Sequence, residues 1–363
     1  MGEFYPPKNK PLKFLPDMLV CMKIVSMENF WSNKKVFVTG ANGFLGSHLT
    51  KALVEKGAQT FVLIYEDSPG SIFDEENLSE KTQVIHGDIR DLDLIIKILK
   101  ENQIDTIFHL AAQPIVDHAI DDPLETFEVN IQGTWNILEV AKTNHKIERV
   151  IIASSDKAYG RHDILPYEEH THALKGSFPY EVSKTCADLI GQSYHKTFNL
   201  PVCITRCVNL YGPGDLKMNR IVPNTIKCFY YNEPPIIRDT SESLRDYIFI
   251  EDAVDGYLRL AERMGKEIHG HAFNFSINAP LSVLEVITII GREMKKNIEP
   301  KIIKTKGFEI LHQYASYKKA RNVLEWWPKH NFLEGIRKTI PWYTNYFEKL
   351  NKNNNSPEKV YEV

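Results

Sequence analysis

The chain has no apolar run near the roughly 18 residues that a membrane span requires, and no strong charge of either sign. Its 363 residues carry a formal net charge of −3. That balance gives no electrostatic reason to expect nucleic acid or an acidic membrane surface as a partner. Cysteine is sparse. Cys21, Cys186, Cys203, Cys207 and Cys228 are odd in number and form no C-x-x-C pair, so reduced, mostly buried thiols in a cytoplasmic protein are expected. The apolar stretch 18–25 is short and no small-residue cleavage site follows it, which argues against a signal peptide. What remains is ordinary globular material, 43% hydrophobic and 25% charged, long enough for about two domains.

Against that background one stretch stands out. Residues 36–38 are an apolar strand pattern, Val-Phe-Val, that breaks at Gly40; from Phe44 the apolar residues recur at helical spacing. Gly40, Gly43 and Gly46 occupy the turn between them. In a strand–turn–helix, glycines allow a tight turn, a close approach to a pyrophosphate and close helix–strand packing, while the helix N-terminus offers N–H groups to phosphate. A plain tight turn with no ligand uses the same residues.

The next segments repeat the pattern. Strands are expected at 60–65, 83–88, 105–113 and 149–155, with helices at 92–99 and 126–143. Strands alternating with helices predict an α/β fold, a Rossmann-type doubly wound parallel sheet. Ligands of such sheets lie outside the carboxyl ends of the strands. Glu66, Asp88, the small residues Ala111 and Ala112 with Gln113, and the hydroxyls Ser154 and Ser155 all fall there. Glu66 and Asp67 lie just past the second strand. They are either a solvated loop or an acidic pair that repels a 2′-phosphate, favouring NAD over NADP. A sixth strand is expected at 201–205. The divisions expected are an N-terminal extension (1–33) packed on the surface, a cofactor domain (34–200, with 244–262 returning to it), a smaller C-terminal α/β substrate lobe (201–345) and a flexible tail (346–363). No metal site is expected.

Tyr180-Glu-Val-Ser-Lys184 opens a helical pattern to about residue 196, and i, i+4 spacing puts the phenol and the amine on one face. A lysine beside a phenol favours the phenolate, as a general base near neutral pH requires. Y-x-x-x-K also occurs on ordinary helices; here it accompanies the glycine turn and hydroxyls at a strand end.

Together these residues resemble the extended short-chain dehydrogenase/reductases, and within them the nucleotide-sugar epimerases and dehydratases, over residues 34–345. The ordered matches are T-G-x-x-G-x-x-G at 39–46, G-D-x-x-D at 87–91, H-L-A-A at 109–112, N-x-x-G-T at 130–134 and Y-x-x-x-K at 180–184. R-x-x-N-x-Y-G-P follows at 206–213, then an R-D-Y segment at 245–254. Ser155-Asp156-Lys157 and His109-Leu-Ala-Ala-Gln-Pro114 are similar to the CDP-glucose 4,6-dehydratase branch, although Asp156 and Lys157 are also compatible with a structural ion pair.

The resemblance implies a homodimer or higher homo-oligomer and NAD held by Gly40, Asn42, Gly43, Phe44, Leu45 and Gly46. Further cofactor contacts implied are Glu66, Asp88 and Ile89; Leu110, Ala111, Ala112 and Gln113; and Ser154, Tyr180, Lys184 and Cys207. Gln113, Asn209, Arg220 and Arg245 are candidates for the nucleotide sugar, the two arginines because guanidinium forks suit phosphate oxygens although plain surface arginines read the same way, and a polar loop at 239–245 is able to close over it. For the reaction the resemblance implies a 4,6-dehydration. Tyr180 accepts the 4-OH proton as C4 is oxidised, Ser155 polarises the 4-oxygen, and Lys184 also holds the nicotinamide ribose. Asp156 protonates the departing 6-hydroxyl. Lys157 is either a neutral base at C5 or a cation stabilising the enolate. The competing expectations are a 4-epimerase, which needs every one of these motifs except Asp156, and a non-catalytic NAD-binding regulator, which needs neither Ser155 nor the Tyr180–Lys184 pair.

Overall fold

The computed structural model describes residues 30–238, 243–303 and 310–353. Most of the expected N-terminal extension, part of the polar loop at 239–245 and the end of the tail lie outside the described residues.

A seven-stranded parallel sheet forms the centre. Its strands are β1 (Lys35–Thr39), β2 (Gln59–Ile64), β3 (Gln83–His86), β4 (Thr106–His109), β5 (Arg149–Ala153) and β6 (Val202–Cys207), joined by a later strand, Ala272–Phe275. The order runs Ala272–Phe275, β6, β5, β4, β1, β2, β3. Alternate residues of β1 divide between two cores: Val36 and Val38 pack on one face with Leu49 and Phe108, and Phe37 on the other with Ile107 and Ile137. A sheet covered on both faces needs such nearly continuous apolar strands. Each expected strand is present; β3, β4 and β5 end sooner than expected, at His86, His109 and Ala153, because the residues that follow leave the ladder. The order reverses between β1 and β4, which is where a doubly wound sheet opens a crevice.

Trp31, near the end of the expected extension, is packed against the domain: it is 1% exposed, its indole packs near Phe108 and its Nε1–H donates to Glu262 Oε1 at 2.8 Å. The expected helix at 126–143 is not uniform. It comprises Pro123–Phe127, a π-turn Glu128–Gln132 and Gly133–Thr143, and π-turns widen the backbone where a side chain must be re-aimed. Beyond β6, short strands build three small sheets: β7 (Asn209–Tyr211) pairs with Tyr247–Phe249, Ile236–Arg238 with Lys301–Ile303, and Leu244–Arg245 with both Leu281–Ser282 and His312–Gln313.

Candidate active site

The glycine turn closes over the sheet at the point where its order reverses. Gly40 has φ +68°, and a Cβ there would lie 2.9 Å from the backbone of Ala111. A Cβ on Gly46 would lie 2.0 Å from the carbonyl oxygen of Gly40. The Gly43 N–H donates to that same carbonyl at 3.1 Å. Gly43 then caps the helix Phe44–Glu55, whose N-terminus has no side-chain cap and no acidic residue in its first turn. Unpaired N–H groups at a positive dipole end, uncontested by carboxylates, fit a pyrophosphate. Asn42 Nδ2 donates to Glu66 O at 2.6 Å and ties the turn to the end of β2.

A chain of neutral groups holds β1 to β4 beneath this turn. The Leu110 and Ala111 N–H groups both donate to Thr39 Oγ1 at 3.1 Å. That hydroxyl is therefore left to donate to His109 Nδ1 at 2.9 Å. His109 Nε2–H then donates to Thr134 Oγ1 at 3.1 Å, which donates to Asn130 O at 2.6 Å. Burial, with a lesser push from Lys184, drops the His109 pKa to about 3, so the ring stays neutral. Asn130, aimed by the π-turn, accepts from Gln113 N at 2.7 Å and donates to Gln113 O and to Ser183 Oγ. It thereby ties the loop after β4 to the helix Pro179–Phe198.

That helix carries Tyr180 and Lys184. It is anchored by a buried bidentate pair, Arg206 to Asp188 at 2.7 and 3.0 Å, and Arg206 also donates to Tyr159 Oη. Tyr159 belongs to the short 3₁₀-helix Asp156–Tyr159 that follows β5. Arg206 thus fixes the tyrosine–lysine helix and the Asp156–Lys157 segment relative to one another. Ser154 Oγ donates to Lys184 O at 3.3 Å, and Lys184 Nζ donates to Ala153 O at 2.9 Å. Ser155 lies close enough to influence the Tyr180 phenol, and its Oγ donates to Asp156 Oδ1 at 3.1 Å.

The electrostatics differ from the expectation in one respect. Burial pushes the Tyr180 pKa up to about 12, against a lowering from Arg220; Lys184 does not offset it, because its ammonium is directed to the end of β5. Burial alone lowers Lys184 to about 8. Asp156 is 3% exposed. Burial raises its pKa to about 6, opposed by Lys157, the Ser155 hydroxyl and Arg245. Its Oδ2 has no hydrogen-bond partner among the described residues. Asp156 and Lys157 form no direct ion pair there either; Lys157 Nζ meets Gln313 Oε1 at 3.4 Å.

The other candidates are spread around this centre. Asp88 is held by Arg90 through three hydrogen bonds, and these outweigh burial to leave its carboxyl below the usual range. Ile89, Leu110, Ala111 and Ala112 line the ends of β3 and β4, and Glu66 is exposed beyond β2. Gln113 turns its side chain into its own loop, onto Ile115 and Thr126. Cys207 is buried, its thiol raised by burial and bonded to Tyr257 Oη. Asn209 donates to Asp246 O at 3.0 Å. Arg220 is paired with Asp215 and lies close enough to influence the Tyr180 phenol. Arg245 is 7% exposed and donates to Leu244 O and Leu311 O. Gln313 is a neighbour that the sequence does not announce: it follows Lys157 by 156 residues, and no local spacing signals such a contact.

Comparison with known proteins gives the chain a family. Residues 36–276 match the model of the NAD dependent epimerase/dehydratase family. CDP-glucose 4,6-dehydratase of Salmonella typhimurium is 28% identical over 335 residues, covering 87% of this chain and 92% of that protein. dTDP-D-glucose 4,6-dehydratase of Bos taurus is 29% identical over 332 residues, covering 86% and 90%. Among solved structures, an epimerase of Methanothermobacter thermautotrophicus superposes with a TM-score of 0.81 at 29% identity, covering 90% of this chain and 96% of that one. The dTDP-glucose 4,6-dehydratase of Streptomyces venezuelae, solved with NAD, gives 0.80 at 25% identity, covering 87% and 98%.

Proposed function

The chain belongs to the NAD-dependent epimerase/dehydratase family, and from that premise we propose that it is a nucleotide-sugar 4,6-dehydratase acting on a CDP-glucose-like NDP-hexose. The observation that carries this reading is the Asp156 carboxyl: buried, with a pKa near 6 and one oxygen without a partner among the described residues. An epimerase has no step that needs such a group. A dehydratase must protonate a leaving hydroxyl, and a carboxyl raised toward neutrality by burial suits a general acid.

Residues 40–46 and Lys184 would hold NAD, and the chemistry NAD supplies when bound is temporary storage of one hydride. Tyr180 is the base for the 4-OH. Its pKa of about 12 must fall for this, a shift that the positive charge of a bound nicotinamide would favour. Ser155, beside the same phenol, positions the sugar 4-oxygen. Lys184 spends one of its three N–H donors on Ala153 O, leaving two for ribose hydroxyls. The 4-ketone acidifies C5–H. Loss of that proton and cleavage of C6–O, with the Asp156 proton leaving on the oxygen as water, give the unsaturated sugar, which regains the stored hydride at C6 and a proton at C5. Lys157, adjacent to the acid, serves C5 as a base when neutral or steadies the enolate when charged.

Incubation with CDP-, dTDP-, UDP- and GDP-hexoses followed by mass spectrometry tests the reading. A product lighter by one water is expected. An isomer of unchanged mass would replace the dehydratase by the 4-epimerase.

A further inference from the structure

The small sheets of the second lobe deliver one side chain to the Asp156–Lys157 segment that no motif announces. Gln313 ends the two-residue strand His312–Gln313, in register with Arg245 of Leu244–Arg245. It is fully buried, at 0% exposure. The two halves of its carboxamide have different fates. Oε1 accepts from Lys157 Nζ at 3.4 Å, the only orientation compatible with an ammonium, which can only donate. Nε2 is buried and has no hydrogen-bond partner among the described residues.

A glutamine that merely filled the core would have both ends satisfied or would be replaced by an apolar residue, because an unmet buried donor is costly. The second orphan nearby is Asp156 Oδ2. One orphan is a donor reached through the Lys157 hydrogen bond; the other belongs to the residue preceding Lys157. A group that satisfies both kinds of orphan must accept from an amide N–H and exchange a proton with a carboxyl, and a sugar bearing hydroxyls meets both demands where an apolar group meets neither.

We propose that Gln313 is a substrate-positioning residue, its Nε2 donating to an oxygen of the hexose while its Oε1 orients Lys157. This rests on the nucleotide-sugar reading for the identity of the ligand, and not on which reaction follows. Gln313 transfers no proton and changes no bond; it holds the sugar and the lysine in register.

The test compares wild type, Gln313→Leu and Gln313→Glu, using the NDP-hexose that the wild-type enzyme converts. Gln313→Leu removes both contacts. Gln313→Glu keeps an acceptor for Lys157 and loses the donor. Both should lower kcat/KM roughly ten- to a hundredfold, chiefly through KM for the sugar nucleotide. Affinity for NAD should be unchanged, and the melting temperature of Gln313→Leu should equal or exceed that of wild type, since a buried orphan has been removed. Unchanged KM in both variants would overturn the proposal, as would a KM rise matched by losses of NAD affinity and melting temperature. If wild type converts the sugar without losing water, the dehydratase reading falls and the KM comparison still decides the role of Gln313. If wild type converts none of the four nucleotide hexoses, both fall.

Discussion

In the proposed dehydration Asp156 carries both the acid's role and its cost in stability. Its folded-state pKa of about 6 stands above the ordinary 3.8 because burial opposes the charged form. The fold therefore favours the protonated carboxyl. That contribution is fully present below the ordinary value of 3.8 and is lost as pH rises through about 6. Asp156→Asn removes the penalty. Its stability should match wild type in acid and exceed it at neutral pH by roughly 2–3 kcal/mol, the free-energy equivalent of so raised a pKa. Thermal melts across that range check this. The same variant should still oxidise C4 yet fail to eliminate water, so the absorbance of reduced nicotinamide should build up on the enzyme. Dehydration at the wild-type rate would remove Asp156 from the role. The residues legible in the sequence are those whose relations are local: Ser155, Asp156 and Lys157 are consecutive, and Tyr180 and Lys184 share a helix face. Gln313 and the Lys184 contact with Ala153 arise from packing, which no short spacing encodes. The tyrosine pKa is hidden for the same reason, since its dominant cause is burial and burial is a property of the folded chain.

Among the elements, the end of β2 is where a preference between NAD and NADP is predicted to arise. Asn42 joins the glycine turn to Glu66 O, and Glu66 and Asp67 stand exposed just beyond. A cation close by, Arg90, is already engaged by Asp88 and Glu128, so it is not available to pair with an added phosphate. Two carboxylates facing a 2′-phosphate repel it. NADP should therefore bind at least tenfold more weakly than NAD in a fluorescence titration, and Glu66→Gln with Asp67→Asn should narrow the gap. Equal affinities in the wild-type protein would refute the part assigned to Glu66. The strands and the turn are readable because parallel strands buried on both faces leave continuous apolar runs. The π-turn at Glu128–Gln132 is not, because its helix-like side-chain pattern is the same whether the backbone is wound tightly or loosely.

At the scale of the whole molecule, the crevice at the reversal of strand order brings together groups from both halves of the chain: the glycine turn and β4 loop, the tyrosine–lysine helix, and the second lobe's Arg245 and Gln313. The outer surface carries Leu124, Trp135 and Leu189 at 66%, 43% and 51% exposure, with Trp135 on Gly133–Thr143 and Leu189 on Pro179–Phe198. Large apolar side chains left open on adjacent helices suit burial against a second copy. Light scattering should give twice the chain mass, and Trp135→Arg combined with Leu189→Arg should return the monomer; a monomeric wild type would contradict this.

The most direct measurement of the central claim follows one atom. An NDP-glucose carrying deuterium at C4 should yield a 4-keto-6-deoxy product with the deuterium at C6 and one water lost, as expected if oxidation at C4, elimination assisted by Asp156 and reduction at C6 occur in one site. Deuterium still at C4, in a product of unchanged mass, would mean that Asp156 is not used as an acid and that the enzyme is an epimerase.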